Sequence, residues 1–172
     1  HMDIKPPNIV IKEGRARLVD YGIAVNEKPT DIDMYRNLYI YWPPELFVLA
    51  VKAPASIRDH IRSYFLSLEH YRIAGQLTKW GIDSVKLRID IEREMLKINT
   101  HMQEILSKVD VWGLAITLVN VAERAVGEMT PSAIADLSTI IQSMFWPQLR
   151  LRPDAMGMYK MYLAFIKKHY TK

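Results

Sequence analysis

The sequence predicts a mainly α-helical fold with one small β-hairpin close to its start. Three observations carry that expectation. Two β-branched runs, Ile9-Val-Ile11 and Ala16-Arg-Leu-Val19, flank a glycine-containing break at Lys12-Glu-Gly-Arg15, the pattern of a hairpin. Val109, Val111, Trp112, Leu114, Ala115, Ile116, Leu118 and Val119 leave no polar face, the mark of a helix buried all round. Stripes of apolar residues at helical spacing lie on both sides of it.

Taken in order, the hairpin comes first, with Asn8 just before one strand and Asp20 just after the other. Residues 23–41 hold no sustained period and include Asn26, Pro29, Asp31, Asp33 and Asn37, so they read as an irregular loop closed by Tyr41-Trp-Pro-Pro-Glu45. Ile57, Ile61, Tyr64, Phe65 and Leu68 form one helical stripe after a Ser56 cap. Ile91, Met95, Ile98, Met102 and Ile105 form a second, with Trp80-Gly81 as a turn between. Together they predict an antiparallel helical hairpin over 46–107, which either packs on its own domain or offers a surface to a partner. The apolar central helix opens near Lys108, where Asp110 would be its N-cap or a first-turn charge favoured by the helix dipole. Pro131-Ser132 starts the next helix, carried by Ile134, Leu137, Ile140, Ile141, Met144 and Phe145. Tyr159, Tyr162, Leu163, Phe165 and Ile166 mark a terminal amphipathic helix.

At 172 residues, with 49% hydrophobic and 24% charged residues, the chain suits a single domain spanning 1–172 and is too apolar for disorder. The formal charge of +4 is spread among acids, as in Arg88-Ile-Asp-Ile-Glu-Arg-Glu94. No basic cluster exists to hold a nucleic acid. The absence of cysteine excludes disulfides, thiolate zinc sites and a thiol nucleophile, and agrees with an intracellular, cytoplasmic setting. No apolar run reaches membrane-spanning length. His60, His70, His101 and His169 lack zinc-ligand spacing, and Ser63, Ser67 and Ser132 lack a nucleophile elbow.

The chemistry concentrates in the first residues, His1-Met-Asp-Ile-Lys-Pro-Pro-Asn8, and in Asp20-Tyr21-Gly22. One carboxylate can take a hydroxyl proton and a lysine can neutralise a phosphate. An asparagine and a second carboxylate can hold magnesium, a hard cation that prefers oxygen ligands. These segments resemble the catalytic loop and the D-F-G segment of protein kinases. Three further segments resemble that family in the same order: Tyr41-Trp-Pro-Pro-Glu45, the end of the activation loop; Asp110-Val-Trp-Gly-Leu-Ala115, the D-V-W-S-L-G start of a central helix; and Arg152-Pro153 late in the chain. The resemblance covers 1–45 and 108 to about 169. It implies a kinase C-lobe whose small hairpin carries the catalytic loop and D-Y-G. Asp3-Ile-Lys5-Pro6 resembles serine/threonine enzymes, with Asp3 as base and Lys5 neutralising the transferred phosphoryl group. Asn8 and Asp20 would bind Mg2+ and, through it, ATP. Glu45 would pair with Arg152, and Asp110 would hold the catalytic-loop backbone from below.

Departures from the pattern shape the functional expectation. No two glycines stand two apart, so no G-x-G-x-x-G loop covers phosphates, and no V-A-I-K-like strand lysine is present. An ATP-binding N-lobe is absent from this sequence, and the chain alone is expected to lack kinase activity. Met2 replaces the usual arginine, which implies less dependence on loop phosphorylation, although His1-Met2 is also what a cleaved cloning tag leaves behind. Residues 46–107 look like an insertion, and only Glu123–Thr130 stand where the family commonly has a further helix. Expected partners are a protein substrate and an N-lobe or other partner protein, or a second copy on the exposed lobe face. The alternative is a kinase-derived module that binds proteins through 46–107.

Overall fold

Two residues with left-handed backbone turn the first strand back on itself. In a computed structural model of the chain, which describes residues 1–24, 39–48, 54–96 and 102–171, β1 (Ile9–Lys12) pairs antiparallel with β2 (Arg15–Leu18). Glu13 and Gly14 both have positive φ, 52° and 70°. A two-residue loop of that kind matches the natural twist of a hairpin. The strands lie within a residue of the predicted runs. Val10 and Ile11 are exposed, so the hairpin has little core of its own and depends on its anchorage at the Asn8 end.

Seven α-helices follow among the described residues: α1 (Pro44–Val48), α2 (Pro54–His70), α3 (Ile73–Lys79), α4 (Ser84–Met95), α5 (Met102–Ala122), α6 (Pro131–Met144) and α7 (Ala155–His169). The fold is therefore mainly α with a small antiparallel sheet, as the sequence predicts. The centre is α5, where Trp112, Ala115, Ile116 and Val119 are wholly buried and which contacts α1, α3, α6 and α7. Its residues 103–122 are long and apolar enough to cross a membrane by length and composition, with mean hydropathy 1.5. This corrects the expectation drawn from uninterrupted runs. More than half of that stretch, 56%, is buried inside the fold, as a core helix requires.

Several boundaries differ from expectation. The apolar stripe of α5 extends upstream through Val109 and Ile105, both buried, so the helix starts at Met102 and Asp110 lies in its third turn. It is neither a cap nor a first-turn charge. Ser56 lies inside α2 rather than capping it. Residues 46–107 do not form a two-helix hairpin. Arg72, with φ 60°, breaks the chain between α2 and α3, and the second stripe divides between α4 (Ile91, Met95) and α5 (Ile105). Ile98 and the loop over 25–38 lie outside the described residues. The Trp80-Gly81 turn is present, and Ser138 and Gln142 of α6 both donate to the Trp80 carbonyl at 2.9 Å.

Thr130 caps α6, accepting from Ala133 N, with Pro131 in the first turn. That start falls where the sequence places it. A single 3-10 turn, Val126–Glu128, fills the short link before it. The terminal helix is present as α7, but the apolar stripe that marks it mostly points outward. Tyr159, Tyr162 and Leu163 are exposed, while Met158 supplies the buried contact. Phe165 and Ile166 are half-buried.

Candidate functional site

Three positions along one face of α5 receive the first residues of the chain. Asp110 accepts from the backbone nitrogens of His1 and Met2 at 2.8 and 2.7 Å. Thr117 Oγ1 donates to the Ile4 carbonyl at 3.3 Å. Between them, Gly113 leaves room that a Cβ would close, at 2.9 Å from Ile4 O and 3.1 Å from Tyr41 O. A spacing of three and then four residues puts all three on one helix face. Met2 takes left-handed backbone, φ 69°, and its carbonyl accepts from Trp42 Nε1 at 2.5 Å.

This loop presents Asp3, which is buried, as is Asn8. Asp3 Oδ2 takes two donors, Lys5 Nζ at 2.9 Å and Asn8 Nδ2 at 2.8 Å. Asn8 Nδ2 also donates to the Asp3 carbonyl at 3.1 Å. Asp3 Oδ1 accepts the hydroxyl of Tyr39, and Lys5 Nζ stands 5.6 Å from the centre of the Tyr39 ring. Burial alone would raise the Asp3 pKa. The Tyr39 and Lys5 hydrogen bonds, the Lys5 charge and the Asn8 hydrogen bond outweigh it and hold the carboxyl below its usual value. The hydrogen bond to Asp3, then that to Tyr39, raises the Lys5 pKa. Burial, followed by the bond to Asp3, pushes the Tyr39 phenol up to about 12. At neutral pH the cluster therefore holds an ionised carboxylate, an ammonium and a neutral phenol.

Asn8 closes the hairpin end of the site. Its carbonyl accepts Val19 N at 2.9 Å, so Asn8 and Asp20 flank the same end of the ladder, the convergence predicted from the two strands. Both partners of the Asn8 amide nitrogen are acceptors, which fixes the orientation of the amide. Its oxygen is the atom left over. Asp20 is exposed, with φ 63°, and accepts from Gly22 N at 3.3 Å. An amide oxygen and a carboxylate are hard donors that fit Mg2+, which usually takes one or two protein ligands and completes its shell with water and phosphate. No group of three His, Cys, Asp or Glu that could hold a metal by itself occurs among the described residues. His1 links the two segments. Asp3 N donates to its Nδ1 at 3.3 Å, leaving Nε2 as the donor to Val19 O at 3.1 Å, and its ring lies 4.6 Å from that of Tyr21.

Glu45 and Arg152 form a second carboxylate–cation pair, packed against Trp112. Arg152 Nη2 donates to Glu45 Oε1 at 2.6 Å with neither side chain exposed. The guanidinium also donates to the Trp146 carbonyl from Nε and Nη2, at 3.1 and 2.9 Å. It lies 4.7 Å from the centre of the Trp112 ring. Glu45 Oε2 and Arg152 Nη1 have no hydrogen-bond partner among the described residues. The structure thus brings together Asp3, Lys5 and Asn8, sets Asp20 at the same open end, and joins Glu45 to Arg152 as a separate pair.

Sequence reasoning missed Tyr39, Trp42, Gly113, Thr117 and Tyr64. Tyr64 of α2 accepts from Trp112 Nε1 at 2.7 Å and donates to the Ile40 carbonyl at 2.7 Å. It holds the segment that carries Tyr39. One signal was available in the density of aromatics at Tyr39, Tyr41 and Trp42 directly before Pro-Pro. Another was a glycine in the middle of an otherwise large-residue buried helix, which commonly marks a close backbone approach. No protein-family model, curated protein or solved structure matches this chain.

Proposed function

We propose that this chain is the C-lobe of a serine/threonine protein kinase-like phosphotransferase, which transfers the γ-phosphate of ATP to a protein hydroxyl when an N-lobe completes the site. The observation that carries the reading is the cluster of Asp3, Lys5 and Asn8, in which lysine and asparagine meet on one oxygen of a carboxylate mounted on Asp110. Asp3 accepts the proton of the attacking hydroxyl, and Lys5 balances charge on the phosphoryl group in flight. Asn8 and Asp20 would hold Mg2+, which would supply charge neutralisation when bound. Such transfer depends almost wholly on positioning and electrostatics, so a chain carrying one wall of the nucleotide site is expected to be catalytically silent alone. The exposed side chains of Val10, Ile11, Val19, Tyr21 and Ile23 offer the apolar face that an N-lobe or a second copy would cover.

The alternative, a protein-binding module working through 46–107, has less in its favour. Ile61, Tyr64, Leu68, Leu77 and Ile91 are almost wholly buried, and Tyr64 positions the candidate site itself.

The test is the melting temperature with and without millimolar Mg-ATP. Asn substitution at Asp20 is the control, because Asn tolerates the left-handed backbone there while removing the charge. Nucleotide at a hundred times its Kd stabilises by about 2.7 kcal/mol, and the expected outcome is a rise that Asp20→Asn abolishes. No rise, or an equal rise in the variant, would overturn the assignment of Asp20.

A further inference from the structure

Only one face of α7 is committed to the fold. The helix packs on α5 and α6. Met158 is buried, and Met161, whose sulfur accepts from Ser143 Oγ of α6 at 3.9 Å, packs beside it against the core. With 3.6 residues per turn, the line directly opposite Met158 runs through Met156, Lys160, Leu163 and Lys167. All four are exposed, Met156 at 61% and Leu163 at 46%. Tyr159 and Tyr170 follow one flank of that line and are exposed as well. Between Ala155 and Lys172 the sequence holds four lysines and no acid. Lys168 is tied to Asp136 at 2.6 Å, whereas Lys160 and Lys167 have no ion pair among the described residues.

The alternation of apolar and cationic side chains on this outermost line decides between occupants. A partner helix seated there would seal the Lys160 and Lys167 ammonium groups into a dry seam, and a second copy would set like charges against each other. The headgroup layer of an anionic bilayer takes both kinds of side chain. Lysine heads reach the lipid anions while their stems and the apolar neighbours enter the boundary with the acyl chains. Tyrosine, an apolar ring with a polar tip, favours the same layer. We propose that the outward face of α7 is a peripheral contact surface for anionic lipid, with Met156 and Leu163 in the interface and Lys160 and Lys167 on the headgroups. The chain would lie on the bilayer without crossing it, and α5 stays in the core. The inference rests on α7 alone and is independent of the phosphotransferase reading.

The test is flotation of the full chain with phosphatidylcholine vesicles, alone or carrying about 30% phosphatidylserine. The chain should float with the anionic vesicles and far less with the neutral ones. Lys160→Gln with Lys167→Gln should weaken that binding about thirtyfold, roughly fivefold per lysine. Leu163→Ser should weaken it about tenfold, because an apolar side chain then no longer enters the interface. Met156→Ser serves as a second variant should Leu163→Ser melt early. Arg15→Gln with Arg17→Gln removes two exposed charges from the hairpin and should leave binding nearly unchanged. An equal loss in that control would mean that net charge alone does the binding, and would overturn the surface. Flotation with neither vesicle, or equally with both, overturns it too, as does binding indifferent to the lysine or the Leu163 and Met156 substitutions. Capture of an acidic amphipathic peptide of leucine and glutamate in place of vesicles would give the face to a protein partner. A dimer in sedimentation that Leu163→Ser dissociates would give it to a second copy, and either result removes the lipid assignment.

Discussion

Glu45 and Arg152 meet with neither side chain exposed, whereas Asp3 and Lys5 meet where the lysine side chain is 28% and the carboxylate 9% exposed. Both are carboxylate–cation pairs, yet their surroundings give them different work. Around Arg152 every neighbour restrains. Trp112 lies along the guanidinium, the Trp146 carbonyl takes two of its N–H groups, and Glu45 takes another. Nothing can enter without opening the core. Around Asp3 the restraints come from behind, through Asp110, Gly113 and Thr117, while the carboxylate takes three donors, Lys5, Asn8 and Tyr39. A sealed pair joins distant parts of the chain, here 107 residues apart. A pair at the solvent boundary can exchange partners, which chemistry requires.

The largest effect should come from the sealed pair. Arg152→Ala leaves Glu45 as an uncompensated buried charge and should cost about 3–5 kcal/mol, measured by urea denaturation. Replacing both residues by Leu and Met should cost distinctly less, because no charge is left stranded. Losses of equal size would mean that the arginine acts through packing on Trp112 alone. Next in size is Asp110→Ala, which strands the His1 and Met2 nitrogens and should cost about 1–3 kcal/mol. It should also move the Asp3 carbon-13 resonance, whereas Arg152→Ala in its still-folded population should not. Gly113→Ala should destabilise by about 1 kcal/mol. Alanine gains roughly that much in helix propensity, but its Cβ would press on the carbonyls of Ile4 and Tyr41, and overpacking of this kind costs about 1–3 kcal/mol.

The smallest effect sharpens the contrast by pH. The fold holds the Asp3 carboxyl below the ordinary 3.8, so the unfolded chain takes up a proton first as pH falls. Its stabilising contribution is complete above about pH 3.8 and is lost as pH drops through the lower folded value. Asp3→Asn should therefore flatten the stability profile below pH 4 and leave its shape at neutral pH unchanged. An unaltered acid limb would show that Asp3 is not ionised within a hydrogen-bonded cluster.

Local pattern made much of this legible. The hairpin, the all-apolar helix and the start of α6 at Pro131 follow from alternation, period and capping, which act within a few residues. The polar set Asp3, Lys5, Asn8 and Asp20 was visible because those residue types stand close together in the chain. The outward stripe of α7 and the broken helices of 46–107 were not legible. Periodicity reports that a face is apolar and says nothing about what covers it, and Arg72 carries no glycine to announce a left-handed break.

What the sequence determined by itself is the helical character of the chain, its short hairpin and the donor and acceptor types gathered near its start. Those properties reside in side chains and their nearest neighbours. The tertiary structure alone decided that Asp110 lies in mid-helix with the first loop bonded to it, that Gly113 marks where two backbones nearly touch, and that Tyr39 bonds the acid 36 residues before it. Each of those contacts joins residues far apart in the chain. It exists only because burial of the α5 stripe brings the segments together, and no local pattern carries that information.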